Sequence, residues 1–175
     1  MLNPIPQFGG LWRLKAFQAA ELVRDYVVAF RARYGNSSDY PGMGEWMERM
    51  AEGARTNMDR ALHVPPGSDG VEERYISTAR AELEELLSGF REFMRREHLP
   101  QWHKEDLLTK EIRSLAYHQL RTIGLYRPYL ETADMAANCA LSLIHQANFM
   151  LDQQLRSLQR RPTARWTARR SARVY

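Results

Sequence analysis

Cysteine is almost missing from this chain. Cys139 stands alone among 175 residues, so no internal disulfide can form, and one thiol does not by itself indicate a zinc site. Lysine is nearly as scarce, at Lys15, Lys104 and Lys110 only, so arginine carries almost all the positive charge. No stretch approaches the roughly 18 apolar residues that a membrane helix needs. Met1 to Trp12 has no basic start followed by an apolar run, so it does not read as a secretory signal, and a cytoplasmic protein is expected. Alternating β-branched and aromatic runs are also missing, which argues against strands. There is no phosphate-binding glycine loop and no Gly-x-Ser-x-Gly elbow. Nor is there a Cys-His pair of plausible spacing, or a Glu-x-x-His pair of the di-iron kind. Catalysis is not expected, and neither is a cofactor.

What is present is helical. Apolar residues make up 44% and charged residues 26%, values of a globular chain long enough for one domain. From Arg13 to Tyr34 apolar residues recur at Ala16, Ala20, Val23, Val27, Phe30 and Tyr34, one stripe at helical spacing. A second stripe, rich in methionine, runs Met43, Met47, Met50, Ala54, Met58 and Ala61. A third runs Ile76, Ala79, Leu83, Leu86, Phe90 and Phe93. A shorter helix is expected over Lys104 to Thr122 with Leu108, Ile112 and Leu115 inward, closed by Gly124 and Pro128. The last helix opens at Thr132 or Asp134, either a suitable cap, and continues through Ile144 and Leu151 to Pro162. The pattern predicts an all-α fold, an antiparallel four-helix bundle with an additional short helix and a basic C-terminal tail. Residues 1–12 read as an irregular arm, 13–161 as the bundle and 162–175 as the tail.

Two polar groupings have both a plain and a functional reading. His98 and His103 flank Pro100 near Glu97, Glu105 and Asp106, where capping is the ordinary role and a metal site the alternative. His145, Gln146, Asn148, Asp152, Gln153 and Gln154 give the last helix a polar face. It fixes helix register through a buried hydrogen-bond network, forms a solvated face, or holds a partner or a nucleic-acid base.

Charge is unevenly spread. The net is +4, yet seven arginines and no acid follow Asp152, so residues 1–152 carry about −3. Arg156, Arg160, Arg161, Arg165, Arg169, Arg170 and Arg173 suit phosphate contacts, and Trp166 among them suits stacking on an unpaired base. A solubilising tail without a specific partner is the plain alternative. Arg49, Arg55 and Arg60, on the outer part of the second helix, are candidate auxiliary contacts.

Leu141-Ser142-Leu143-Ile144-His145-Gln146-Ala147-Asn148-Phe149-Met150-Leu151-Asp152-Gln153-Gln154-Leu155 carries a resemblance, as do Leu14 to Leu22 and Ala81 to Leu87. Over most of residues 13–160 the chain resembles the bacterial suffix-domain four-helix-bundle proteins. These are related to proteins encoded by intervening sequences of ribosomal RNA genes and to the accessory variability determinant of diversity-generating retroelements. The group's Asn-Ile-Ala-Glu-Gly signature is matched only by Asn57-Met58, with Asp59-Arg60-Ala61 following. The resemblance implies a ring-shaped homo-oligomer, usually a pentamer, that meets nucleic acid or a reverse transcriptase. The expectation is therefore a non-catalytic accessory protein binding RNA or an RNA–DNA intermediate. The alternative is a protein–protein adaptor whose basic tail docks on an acidic partner.

Overall fold

The structure, a computed structural model, describes residues 9–35, 41–65, 68, 70–118 and 122–160. These residues form helices and the loops between them, with no strand among them. Five α-helices form, α1 (Gly9–Tyr34), α2 (Met43–Leu62), α3 (Val71–Arg96), α4 (Leu107–His118) and α5 (Ala133–Gln159). A 3-10 helix, Ile123–Leu130, lies between the last two. Residues 162–175, read as the tail, lie outside the described residues.

Local chemistry explains several boundaries. Gly42 and Gly70 precede α2 and α3 with φ of 82° and 80°, a left-handed backbone that glycine enters without steric cost. Thr132 opens α5, its side-chain oxygen accepting from the Met135 amide at 3.3 Å. The first helix begins at Gly9, four residues ahead of the boundary that the apolar stripe suggested.

Packing links α1 to α2, α2 to α3, α3 to α5 and α5 back to α1, closing a cycle around one core. The predicted stripes are its lining: Ala16, Val27, Phe30, Met47, Met58, Ile76, Leu83, Phe90 and Ile144 are all buried. Across the core the Phe30 ring meets Phe90 at 4.9 Å and Phe93 at 5.2 Å, both edge-on, the arrangement aromatic quadrupoles favour.

The fifth helix departs from a one-sided stripe. Ala136 to Ile144 are buried without interruption, because α4 and the 3-10 helix pack on α5 as well. Small side chains at Ala136, Ala137, Cys139 and Ala140 let these neighbours approach. Tyr26 of α1 donates its hydroxyl to the Ala136 carbonyl at 3.2 Å. Burial pushes the Cys139 thiol up to about 12, so it stays protonated. The 3-10 helix, which no stripe announced, contributes buried Tyr126, Tyr129 and Leu130. Its carbonyl at Leu130 accepts from Arg33 at 2.6 Å and from Tyr34 at 2.7 Å.

The inward face of α4 is corrected in one respect. Leu108 is exposed, and the buried positions are Thr109, Ile112 and Ala116. The helix is rotated relative to the Leu108–Ile112–Leu115 stripe because a short helix lying on α5 buries only a narrow strip. Leu115 is left half-buried at its edge.

Gly89 of α3 receives the Trp46 ring of α2 so closely that a β-carbon there would collide with it. At an exposed helical site, alanine for glycine stabilises by roughly 0.5–1 kcal/mol. Gly89→Ala should instead lower stability by about 1–3 kcal/mol through overpacking, read from urea unfolding.

Candidate nucleic-acid interface

Side-chain bonds between helices define which ends meet. Arg13, near the start of α1, donates to the carbonyls of Ala61 at 2.9 Å and Leu62 at 3.1 Å, at the end of α2. Its Nε lies 3.0 Å from Glu72 in the first turn of α3. The buried Glu72 carboxylate also accepts from Gln154 of α5 at 2.9 Å. One polar node thus ties together the start of α1, the end of α2, the start of α3 and the last turns of α5.

Several exposed arginines belong to this end. Arg60 is in the last turn of α2, Arg74 in the first turns of α3, and Arg156 and Arg160 at the close of α5. None has a carboxylate within ion-pair distance among the described residues, in contrast with the node's own Arg13. Arg156 and Arg160 stand four residues apart and so share one face of the helix. Arg74 was not among the candidates from sequence, since it lies on a helix whose neighbouring residues are mostly acidic.

The remaining candidates are placed differently. Arg49 is exposed, but it lies eleven residues before Arg60 on the same helix, about 16 Å away at 1.5 Å per residue. Arg55 is half-buried, 3.6 Å from Glu52, with its guanidinium 5.8 Å above the Phe17 ring. That guanidinium is held within the fold by a carboxylate and an aromatic face. Arg161, Arg165, Trp166, Arg169, Arg170 and Arg173 lie outside the described residues.

The polar face of α5 divides in two. Asn148 donates to Glu84 at 3.0 Å, Asp152 accepts from Arg80 at 2.6 Å and Gln154 donates to Glu72, so these three form a seam with α3. The oxygens of Asn148 and Gln154 are buried without a donor, a cost of roughly 1–3 kcal/mol each. His145 and Phe149 take no part in the seam and are exposed. Partial desolvation, with Arg91 of α3 and Arg113 of α4, holds the His145 imidazole below its usual 6.5, and Glu84 pulls the other way.

The His98–His103 junction is occupied by capping. The Asp106 carboxylate accepts from the His103 amide at 2.6 Å, and the His103 ring accepts from the Glu105 amide at 3.3 Å. Asn138, buried on α5, accepts from the Trp102 amide at 2.8 Å and donates to the Pro100 carbonyl at 3.0 Å, pinning the same loop. Among the described residues no three His, Cys, Asp or Glu side chains converge as a metal site would require. No helix among them is long and apolar enough to cross a membrane.

Compared with protein-family models, with curated proteins and with solved structures, the chain matches none.

The depressed imidazole has a consequence for stability. Below pH 6.5 the unfolded chain binds a proton at this position that the folded chain resists. Stability should therefore decline as pH falls from 6.5 toward the lower folded value. His145→Gln should flatten that part of the profile, as measured by urea unfolding between pH 7.5 and 5.

Proposed function

We propose that the chain is a non-catalytic nucleic-acid-binding accessory protein, with RNA or an RNA–DNA intermediate as its ligand. The observation that carries this reading is the point on the bundle from which the arginine-rich segment continues. In sequence, residues 161–175 come after α5, whose last turns lie at the end of the bundle where Arg60, Arg74, Arg156 and Arg160 are exposed, the last three with no carboxylate in ion-pair range among the described residues. A flexible polyanion gains most from cationic groups concentrated in one region, since each neutralised phosphate releases counterions.

The scaffold in this proposal is an antiparallel four-helix bundle of α1, α2, α3 and α5, with α4 and the 3-10 helix as an added flap. The node of Arg13, Glu72 and Gln154 supports that orientation, because it joins helix starts to helix ends. The resemblance to the suffix-domain bundles supports a homo-oligomeric ring, with a pentamer favoured. It also supports a reverse transcriptase as a further partner.

A protein–protein adaptor is the second reading. It draws on the apolar surface of α4, where Leu107 is 84% exposed and Leu108 lies beside it.

Salt dependence separates the two readings. Binding of a 20-nucleotide oligouridylate should weaken with salt at a log–log slope of about −0.7 per neutralised phosphate. Changing Arg156, Arg160, Arg165 and Arg169 to Gln should make the slope shallower by about 0.7 for each phosphate no longer neutralised. An unchanged slope and affinity would remove the arginine-rich end from the interface. Tighter binding to polyglutamate than to the oligonucleotide would favour the adaptor.

A further inference from the structure

The four long helices close on one another without α4. Packing runs from α1 through α2, α3 and α5 back to α1, and that cycle is complete whether or not α4 is docked. Among the α-helices, α4 packs substantially against α5 alone.

Its hold there is small. Of the side chains from Leu107 to Tyr117, three are buried, Thr109, Ile112 and Ala116, and Ile112 is the one large apolar group among them. The most apolar face of the helix is divided by this docking, since Ile112 lies inside while Leu108 is 39% exposed and Leu115 half-buried. Two side-chain contacts add to the packing. The Glu111 carboxylate accepts from the Tyr129 hydroxyl at 2.9 Å, and the Lys15 ammonium lies 5.0 Å from the centre of the Tyr117 ring. Glu111 and Tyr117 are both exposed, so water competes for them. A helix of 12 residues is marginal in water by itself, so α4 is helical because it is docked.

The chain on either side of α4 is held more firmly. Before it, the buried Asn138 of α5 accepts from the Trp102 amide at 2.8 Å and donates to the Pro100 carbonyl at 3.0 Å. After it, the 3-10 helix buries Tyr126, Tyr129 and Leu130, and its Leu130 carbonyl accepts from Arg33 and Tyr34. A lightly docked helix between two anchors, on a cycle of helices that closes without it, meets the conditions for local opening. Few buried apolar contacts are lost, and no other element loses its packing.

We propose that α4 is a lid on α5, opening as a unit between the anchors at Trp102 and Tyr126 while α1, α2, α3 and α5 stay folded. Opening uncovers the part of α5 beneath Thr109, Ile112 and Ala116. It also releases Leu108, Ile112 and Leu115, one apolar stripe that the closed lid divides between solvent and interior. The inference is independent of the nucleic-acid reading, since none of these residues belongs to the cationic end.

Hydrogen exchange of the full chain, read by peptide mass spectrometry, tests the lid. A released α4 loses its helical hydrogen bonds, so its amides should exchange at least about 100-fold faster than the slowest amides of the four long helices. Opening one short helix exposes little surface. Exchange in α4 should therefore barely respond to urea below the unfolding midpoint, whereas exchange in the long helices should accelerate. Gly89→Ala, which overpacks the contact with Trp46 far from the lid, should speed exchange in the long helices by roughly 5- to 160-fold and leave α4 unchanged. Ile112→Ala removes the large apolar group beneath the lid. Its α4 amides should approach the rates of an unstructured peptide while the long helices stay protected. The lid is overturned if α4 shares the protection and urea dependence of the long helices, or speeds in step with them in Gly89→Ala. It is overturned equally if Ile112→Ala unfolds the long helices too.

Discussion

Nine consecutive residues of α5 are buried, and the rest of the architecture follows from that requirement. A helix on the outside of a bundle needs one apolar stripe, whereas one enclosed on several sides needs neighbours all round and small residues where they approach. The alanines and the cysteine between Ala136 and Ala140 supply the space, and four elements fill it: α1, α3, α4 and the 3-10 helix. Once enclosed, α5 bonds its buried polar side chains to its neighbours, leaving one oxygen each of Asn148 and Gln154 without a donor. Asn138 is bonded to the loop at Pro100 and Trp102, and Asn148, Asp152 and Gln154 are matched by residues of α3. Those matches set the register of α5 against α3 more sharply than apolar contacts would, because sliding by one turn would strand several buried polar groups at once.

The same requirement sorts the arginines. Side chains at helix interfaces are paired, as Arg13 is with Glu72 and Arg80 with Asp152, and their charge holds helices together. Arginines with no carboxylate in ion-pair range among the described residues are spread over exposed positions of α2, α3 and the end of α5, as at Arg49, Arg74, Arg91, Arg156 and Arg160. An acidic body and a cationic surface coexist because many of the acids are engaged in internal pairing while these arginines are not.

Much of this was legible in the sequence, and the failures have physical causes. The stripes of α1, α2 and α3 are buried largely as read, since a long amphipathic helix reports its inward face through many repeats of the period. Twelve residues of α4 report it through only three turns, and Leu108 fell on the wrong side. The 3-10 helix escaped because Gly124 and Pro128 look like a stop, while a three-residue turn accommodates both. The polar face of α5 allowed a register-fixing network, a solvated face or a partner surface in the sequence, and in the structure only part of it joins such a network. Asn148, Asp152 and Gln154 bond to α3, and His145 with Phe149 stays exposed. Spacing along one helix cannot reveal that division, because it depends on which residues of α3 and α4 lie opposite.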